Sequence, residues 1–124
     1  MIRIKRAYDP PAPGDGRRFL VDRLWPRGIG KEDLKVDGWT KEAAPSDGLR
    51  RWYGHDPCRW EEFRRRYREE LEANRAAWEP LLEAARSGDL TLVYSARDEE
   101  RNNAAVLQEH LERALGPLQP QLSP

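Results

Sequence analysis

Cysteine is all but missing from the sequence. Cys58 stands alone, which excludes an internal disulfide and a thiolate zinc cluster and fits a reducing compartment. No run approaches the roughly 20 apolar residues of a membrane-spanning helix, and Met1-Ile2-Arg3-Ile4-Lys5-Arg6 has no apolar stretch behind it. The expected location is therefore cytoplasmic, with no membrane partner. Excess charge of either sign is missing too, since Lys plus Arg and Asp plus Glu both number 22. No global field attracts nucleic acid or anionic lipid, so any such attraction has to be local. Glycine-rich phosphate loops, of the dinucleotide or the nucleoside-triphosphate pattern, are absent, and no cofactor is expected. Two distant histidines and one cysteine make no metal site.

The charge that is present is divided along the chain. Residues 1–35 hold nine basic and five acidic side chains, and the remainder hold thirteen and seventeen. Hydrophobic residues are 38% of the 124, but five Trp and four Tyr supply bulky burial, enough for one modest core. The expectation is a single domain over residues 1–116 followed by a frayed tail at 117–124, because Gly116-Pro117 ends the last helix.

Ile2 to Tyr8 alternates apolar and basic residues and reads as a strand ended by Asp9-Pro10-Pro11. Arg17 to Trp25, with Phe19-Leu20-Val21 inside it, reads as a strand buried on both faces. Val36 to Ala43 is a weaker extended segment, and Leu90-Thr91-Leu92-Val93-Tyr94 is the clearest strand, expected to pair centrally with 19–25. Ser46 caps a short helix ended by Gly54, and Asp56-Pro57 starts a longer one carrying Trp60, Phe63, Tyr67 and Leu71 on one stripe. Pro80 is expected to break any helix running from Asn74, so that a new one begins near Trp78 or Glu79. Ser95 or Asp98 is expected to cap the last helix, with Ala104, Leu107, Leu111 and Ala114 on one face. Strands alternating with helices imply an α/β fold: a small, mostly parallel sheet of about 3–4 strands in a three-layer, Rossmann-like arrangement without a dinucleotide loop.

In such sheets ligands lie beyond the carboxyl ends of the strands, where loops and helix N-termini converge. That rule selects Arg23-Leu24-Trp25-Pro26-Arg27-Gly28 and Tyr94-Ser95-Ala96-Arg97-Asp98. Arg23 and Arg27 suit bidentate contact with phosphate or carboxylate, and Trp25 offers a stacking face. The plain alternative is a structural turn with Arg23 paired to Asp22 or Glu42. Ser95, Arg97 and Asn102, with Asn103, form a second anion cradle, against the alternative of ordinary capping. Lys41 joins the ligand-binding set. His55, beside Asp56, is the one candidate catalytic residue, and its neighbour already has a capping task. His110 reads as a solvated helix residue. The run Arg64-Arg65-Arg66 with Arg68 reads as a paired, solvated face, because residues 59–73 hold five Arg and five Glu largely at helical spacing.

Four motifs in order, Arg23 to Gly28, Trp39 to Ser46, Trp52 to Pro57 with Trp60, Phe63 and Tyr67, and Tyr94 to Asp98, resemble the YeaO-like proteins of domain of unknown function 488. The resemblance covers Ile2 to about Leu115. It implies a compact α/β domain of the bacterial or archaeal cytoplasm without an established activity. Some relatives carry a methyltransferase label of the uroporphyrinogen type, but no glycine-rich methyl-donor loop stands here. The family pattern carries Asn-His-Ala where this chain has Asn102-Asn103-Ala104. That departure shifts the site towards binding or towards His55.

Three functions remain open at this point. A small α/β domain binding a phosphorylated or nucleotide-like anion, with or without turnover, is the first. A nucleic-acid-binding module using the positive first third is the second, and a protein-interaction domain without a ligand is the third. The sequence sets no oligomeric state.

Overall fold

A computed structural model describes residues 1–116; the expected tail at 117–124 lies outside the described residues. The elements run β1 (Ile2–Arg6), β2 (Arg17–Leu20), α1 (Lys31–Leu34), β3 (Gly38–Trp39), α2 (Asp47–Tyr53), α3 (Trp60–Ala73), α4 (Arg75–Ser87), β4 (Leu90–Tyr94) and α5 (Asn103–Leu115). The four strands form one parallel sheet in the order β1-β4-β2-β3. β4, the most apolar strand, is central and buried along its whole length.

The two faces of the sheet are unequal. Phe19, Val21, Leu90, Leu92 and Tyr94 join the larger core with α2, α3, α4 and α5, while Leu20 and Val93 meet Ala7 and Leu34 on the thin side covered by α1. A strand's period of two accounts for the split, since alternate side chains leave opposite faces. The result is the three-layer α/β fold expected, with one thin layer.

Four local expectations are corrected. β2 ends at Leu20 rather than Trp25; Val21 still donates to the Val93 carbonyl, and then the Asp22 and Arg23 side chains draw the chain towards neighbouring loops. β3 shrinks from the expected 36–43 to two residues, beyond which Lys41–Ala43 forms a 3-10 turn. α4 begins at Arg75 and runs through Pro80. Pro80 lies past the first turn and lacks the N–H that would reach the Ala76 carbonyl, so the helix gives up that bond and is held through it by the burial of Trp78, Leu81 and Leu82. The Trp78 indole N–H donating to the Leu71 carbonyl at 2.8 Å pins that turn. Finally, α5 is capped by Asn102, whose Oδ1 accepts from Ala105 N–H, while Asp98 instead accepts from Glu100 and Arg101 amides in the preceding turn.

The α3 stripe is mostly core. Phe63, Tyr67 and Leu71 are buried, and Trp60 is half-buried at its start. On the outer face, Arg65 and Arg66 pair with Glu62, and Arg65 with Glu69 as well. Glu70 is not part of that pairing; it accepts from the Ser46 N–H and Oγ–H, tying the start of α2 to α3.

Candidate functional site

Because every strand is parallel, the carboxyl ends of β2 and β4 open on the same side. Past Val21 and Tyr94 the chain delivers Asp22 and Ser95 next to each other, with the start of α5 beside them. Ser95 donates twice to Asp22 Oδ2, from its N–H at 2.9 Å and from its Oγ–H at 2.6 Å. Asn103 Nδ2 donates to Asp22 Oδ1 at 3.1 Å and to the Val21 carbonyl at 3.0 Å. Burial pushes the Asp22 carboxyl above its ordinary value, and the bonds from Ser95 and Asn103 only partly offset that.

A cavity of about 750 Å³ opens over this cluster, within the usual size for a small-molecule site. Arg23, Trp25, Arg27, Ser95, Arg97, Asn102 and His55 all line it. Lys41 does not; its Nζ sits 4.6 Å from the centre of the Trp39 ring, a cation–π contact away from the cavity.

The lining residues are engaged to different degrees. Arg23 donates to the carbonyls of Pro45 at 3.1 Å and Ala44 at 3.3 Å and lies 3.8 Å from Glu42, so it braces the 44–45 turn. The Trp25 indole N–H is spent on the Ile29 carbonyl and its ring packs edge-on to Trp39. Asn102 is 2% exposed and satisfied on both sides, as cap and as donor to the Asp98 carbonyl. Arg27 and Arg97 are exposed, and their guanidiniums have no hydrogen-bond or ion-pair partner among the described residues. His55 sits at the rim with a left-handed backbone, φ 58°, directly after Gly54 in the same conformation.

Sequence reasoning missed four participants. Asp22 figured only as an ion-pair partner for Arg23, although it follows the apolar run of β2 directly. Arg50, Arg51 and Tyr53 reach the cavity from α2. Arg51, like Arg27 and Arg97, has no side-chain partner among the described residues. Five arginines thus face one cavity against Asp22 and Asp98, and Asp98 is already held by Arg101 Nε at 3.0 Å. Among the described residues, no group of three or more His, Cys, Asp or Glu is placed to hold a metal ion, and no helix is long and apolar enough to cross a membrane.

The family described as the inactive DUF488-N3 subclade matches residues 1–124. The chain belongs to the YeaO-like DUF488 family. The uncharacterized protein YeaO of Escherichia coli is 44% identical over 110 residues, covering 89% of this chain and 96% of its own length. The uncharacterized proteins Rv3073c of Mycobacterium tuberculosis and Mb3100c of Mycobacterium bovis are also 44% identical over 110 residues, covering 89% of this chain and 92% of their own lengths. No solved structure matches.

Proposed function

We propose that this DUF488 protein is a cytoplasmic single-domain binder of a small phosphorylated anion, held in the cleft at the carboxyl ends of β2 and β4 and not turned over there. The observation that carries this reading is the trio Arg27, Arg51 and Arg97: three guanidiniums without a partner among the described residues, lining one cavity. Guanidinium forks match phosphate oxygens bidentately, and the N-terminus of α5 adds partial positive charge at the same place.

Binding is favoured over turnover by the chemistry of the half-buried cluster. An amide at Asn103 neither takes up nor releases a proton in the physiological range, so Asp22 is the single titratable group of the trio and has no second base within it to relay a proton. The description of the matched subclade as inactive points the same way. His55, at the rim, is left with a contact role.

Calorimetric titration with phosphate, pyrophosphate and AMP tests the reading. Replacing Arg97 or Arg27 by Ala is expected to weaken binding about 10- to 100-fold, the worth of a charge-assisted contact, with folding almost unchanged. Asp56→Ala is expected to do the reverse, because its Oδ1 accepts from the Cys58 N–H at 3.0 Å and its loss leaves that cap unmade. Wild-type affinity in an Arg27, Arg51 and Arg97 triple variant would assign the cleft another role. Tight oligonucleotide binding with a steep salt dependence would point to nucleic acid instead.

A further inference from the structure

We propose that Asp22 makes the cleft selective for phosphate monoesters that carry a hydroxyl, so that its ligands are sugar phosphates or nucleoside phosphates rather than bare anions. The inference rests on the anion-binding reading above and adds a second requirement to it.

A carboxylate in a cavity meant only for an anion works against that purpose, because it repels the ligand and cancels part of the arginines' field. Asp22 is also not neutralised by its surroundings. Five arginines line the same cavity, yet none forms an ion pair with it among the described residues, and Arg23, its sequence neighbour, is committed to the carbonyls of Ala44 and Pro45. The three bonds it accepts come from neutral donors, two from Ser95 and one from Asn103. A carboxylate offers about four acceptor positions. Oδ2 is filled and Oδ1 carries one bond, which leaves one position for a donor from outside the protein.

Asp22 is half-buried, and a carboxylate held there without a paired cation carries a desolvation cost, which raises it above its ordinary value. Such a cost is tolerated where a ligand recovers it. The missing partner must be an O–H or N–H group, and the arginines demand an anion in the same cavity. A phosphate monoester of a sugar meets both demands, with phosphate on the guanidiniums and hydroxyl on Asp22. Leu24, 60% exposed, and the half-buried Trp25 ring on the cavity wall supply an apolar surface for the carbon skeleton.

The test compares methyl phosphate, which has the ester dianion but no hydroxyl, with ribose 5-phosphate and AMP by calorimetry on the whole chain near pH 7.5. Ribose 5-phosphate is expected to bind at least about tenfold tighter than methyl phosphate, the scale of one charge-assisted hydrogen bond. In Asp22→Asn the two are expected to fall within about threefold of each other, because the amide that replaces the carboxylate weakens the acceptor. AMP binding tighter still assigns the nucleotide as source, and AMP binding no better than ribose 5-phosphate assigns the free sugar phosphate. Should Asp22→Asn not fold, the wild-type ratio decides alone. Equal affinity for methyl phosphate and ribose 5-phosphate, both lost in Arg97→Ala, overturns the selectivity and leaves the anion site standing. No binding of any probe overturns both.

Discussion

Asp15 is 5% exposed, and Lys5 Nζ reaches it at 3.0 Å and Arg18 Nη1 at 2.7 Å. Burial pushes its carboxyl up, but the bonds from Lys5, the Ala12 N–H and Arg18 outweigh that and hold it below its ordinary 3.8. Arg18 also donates to the carbonyls of Lys35 and Leu34, so one guanidinium joins the β1–β2 loop to the end of α1. Arg18→Ala is expected to cost about 3–5 kcal/mol in urea denaturation, as for a broken buried pair, and Arg18→Lys is not expected to restore it, since an ammonium lacks the fork. A loss under about 1 kcal/mol would show that water replaces the guanidinium freely. With the folded value depressed, the stability Asp15 contributes is present above 3.8 and is lost as pH falls through the folded value. Asp22 has the opposite sign: with its folded value raised, its contribution is full below 3.8 and is lost as pH rises through the folded value. Melts from about pH 3 to 7 are therefore expected to show Asp22→Asn gaining on wild type as pH rises, and a flat difference would remove the claim of an uncompensated charge.

The α3 stripe is where the sequence was most readable, because steps of three, four and four put Phe63, Tyr67 and Leu71 on one face whatever the rest of the fold does. Its first member behaves differently. Trp60 is half-buried and stacks on Phe63 at 5.7 Å, so it covers the core more than it fills it. Phe63→Ala is expected to cost about 3–5 kcal/mol and Trp60→Ala clearly less, about 1–2 kcal/mol, measured by denaturant unfolding. Equal losses would mean that Trp60 is as buried as its neighbours. Elements set by contacts distant in sequence were less readable. Pro80 reads as a breaker until Trp78 is seen anchoring the first turn of α4 to Leu71. Within the short β3, Gly38 is required because a Cβ there would stand 2.7 Å from the Phe19 ring, a closeness that local pattern does not encode. Asn102 took the cap from Asp98 because Asp98 is consumed one turn earlier by its own loop.

Across the whole molecule, a chain with as many acids as bases gathers five arginines about one cavity. Arg23, Arg27 and Arg97 were legible as site candidates because a parallel sheet sends its strand ends to one side. Arg50 and Arg51 were not, because α2 is brought to the cleft by the bonds from Ser46 to Glu70, a contact 24 positions apart. Like charges held together without partners repel, so a cleft kept for a ligand stores strain that the ligand relieves. Changing Arg27, Arg51 and Arg97 together to Gln is accordingly expected to leave the melting temperature in phosphate-free buffer equal or slightly higher. A ligand at about 100 times its dissociation constant stabilises the folded state by about 2.7 kcal/mol, which for a chain of this size is about 10 °C. Wild type is expected to show that rise with phosphate esters at fixed ionic strength, and the triple variant to show none. If the triple variant melts several degrees lower without ligand, the three arginines serve the fold, and the cleft loses its claim to an anion.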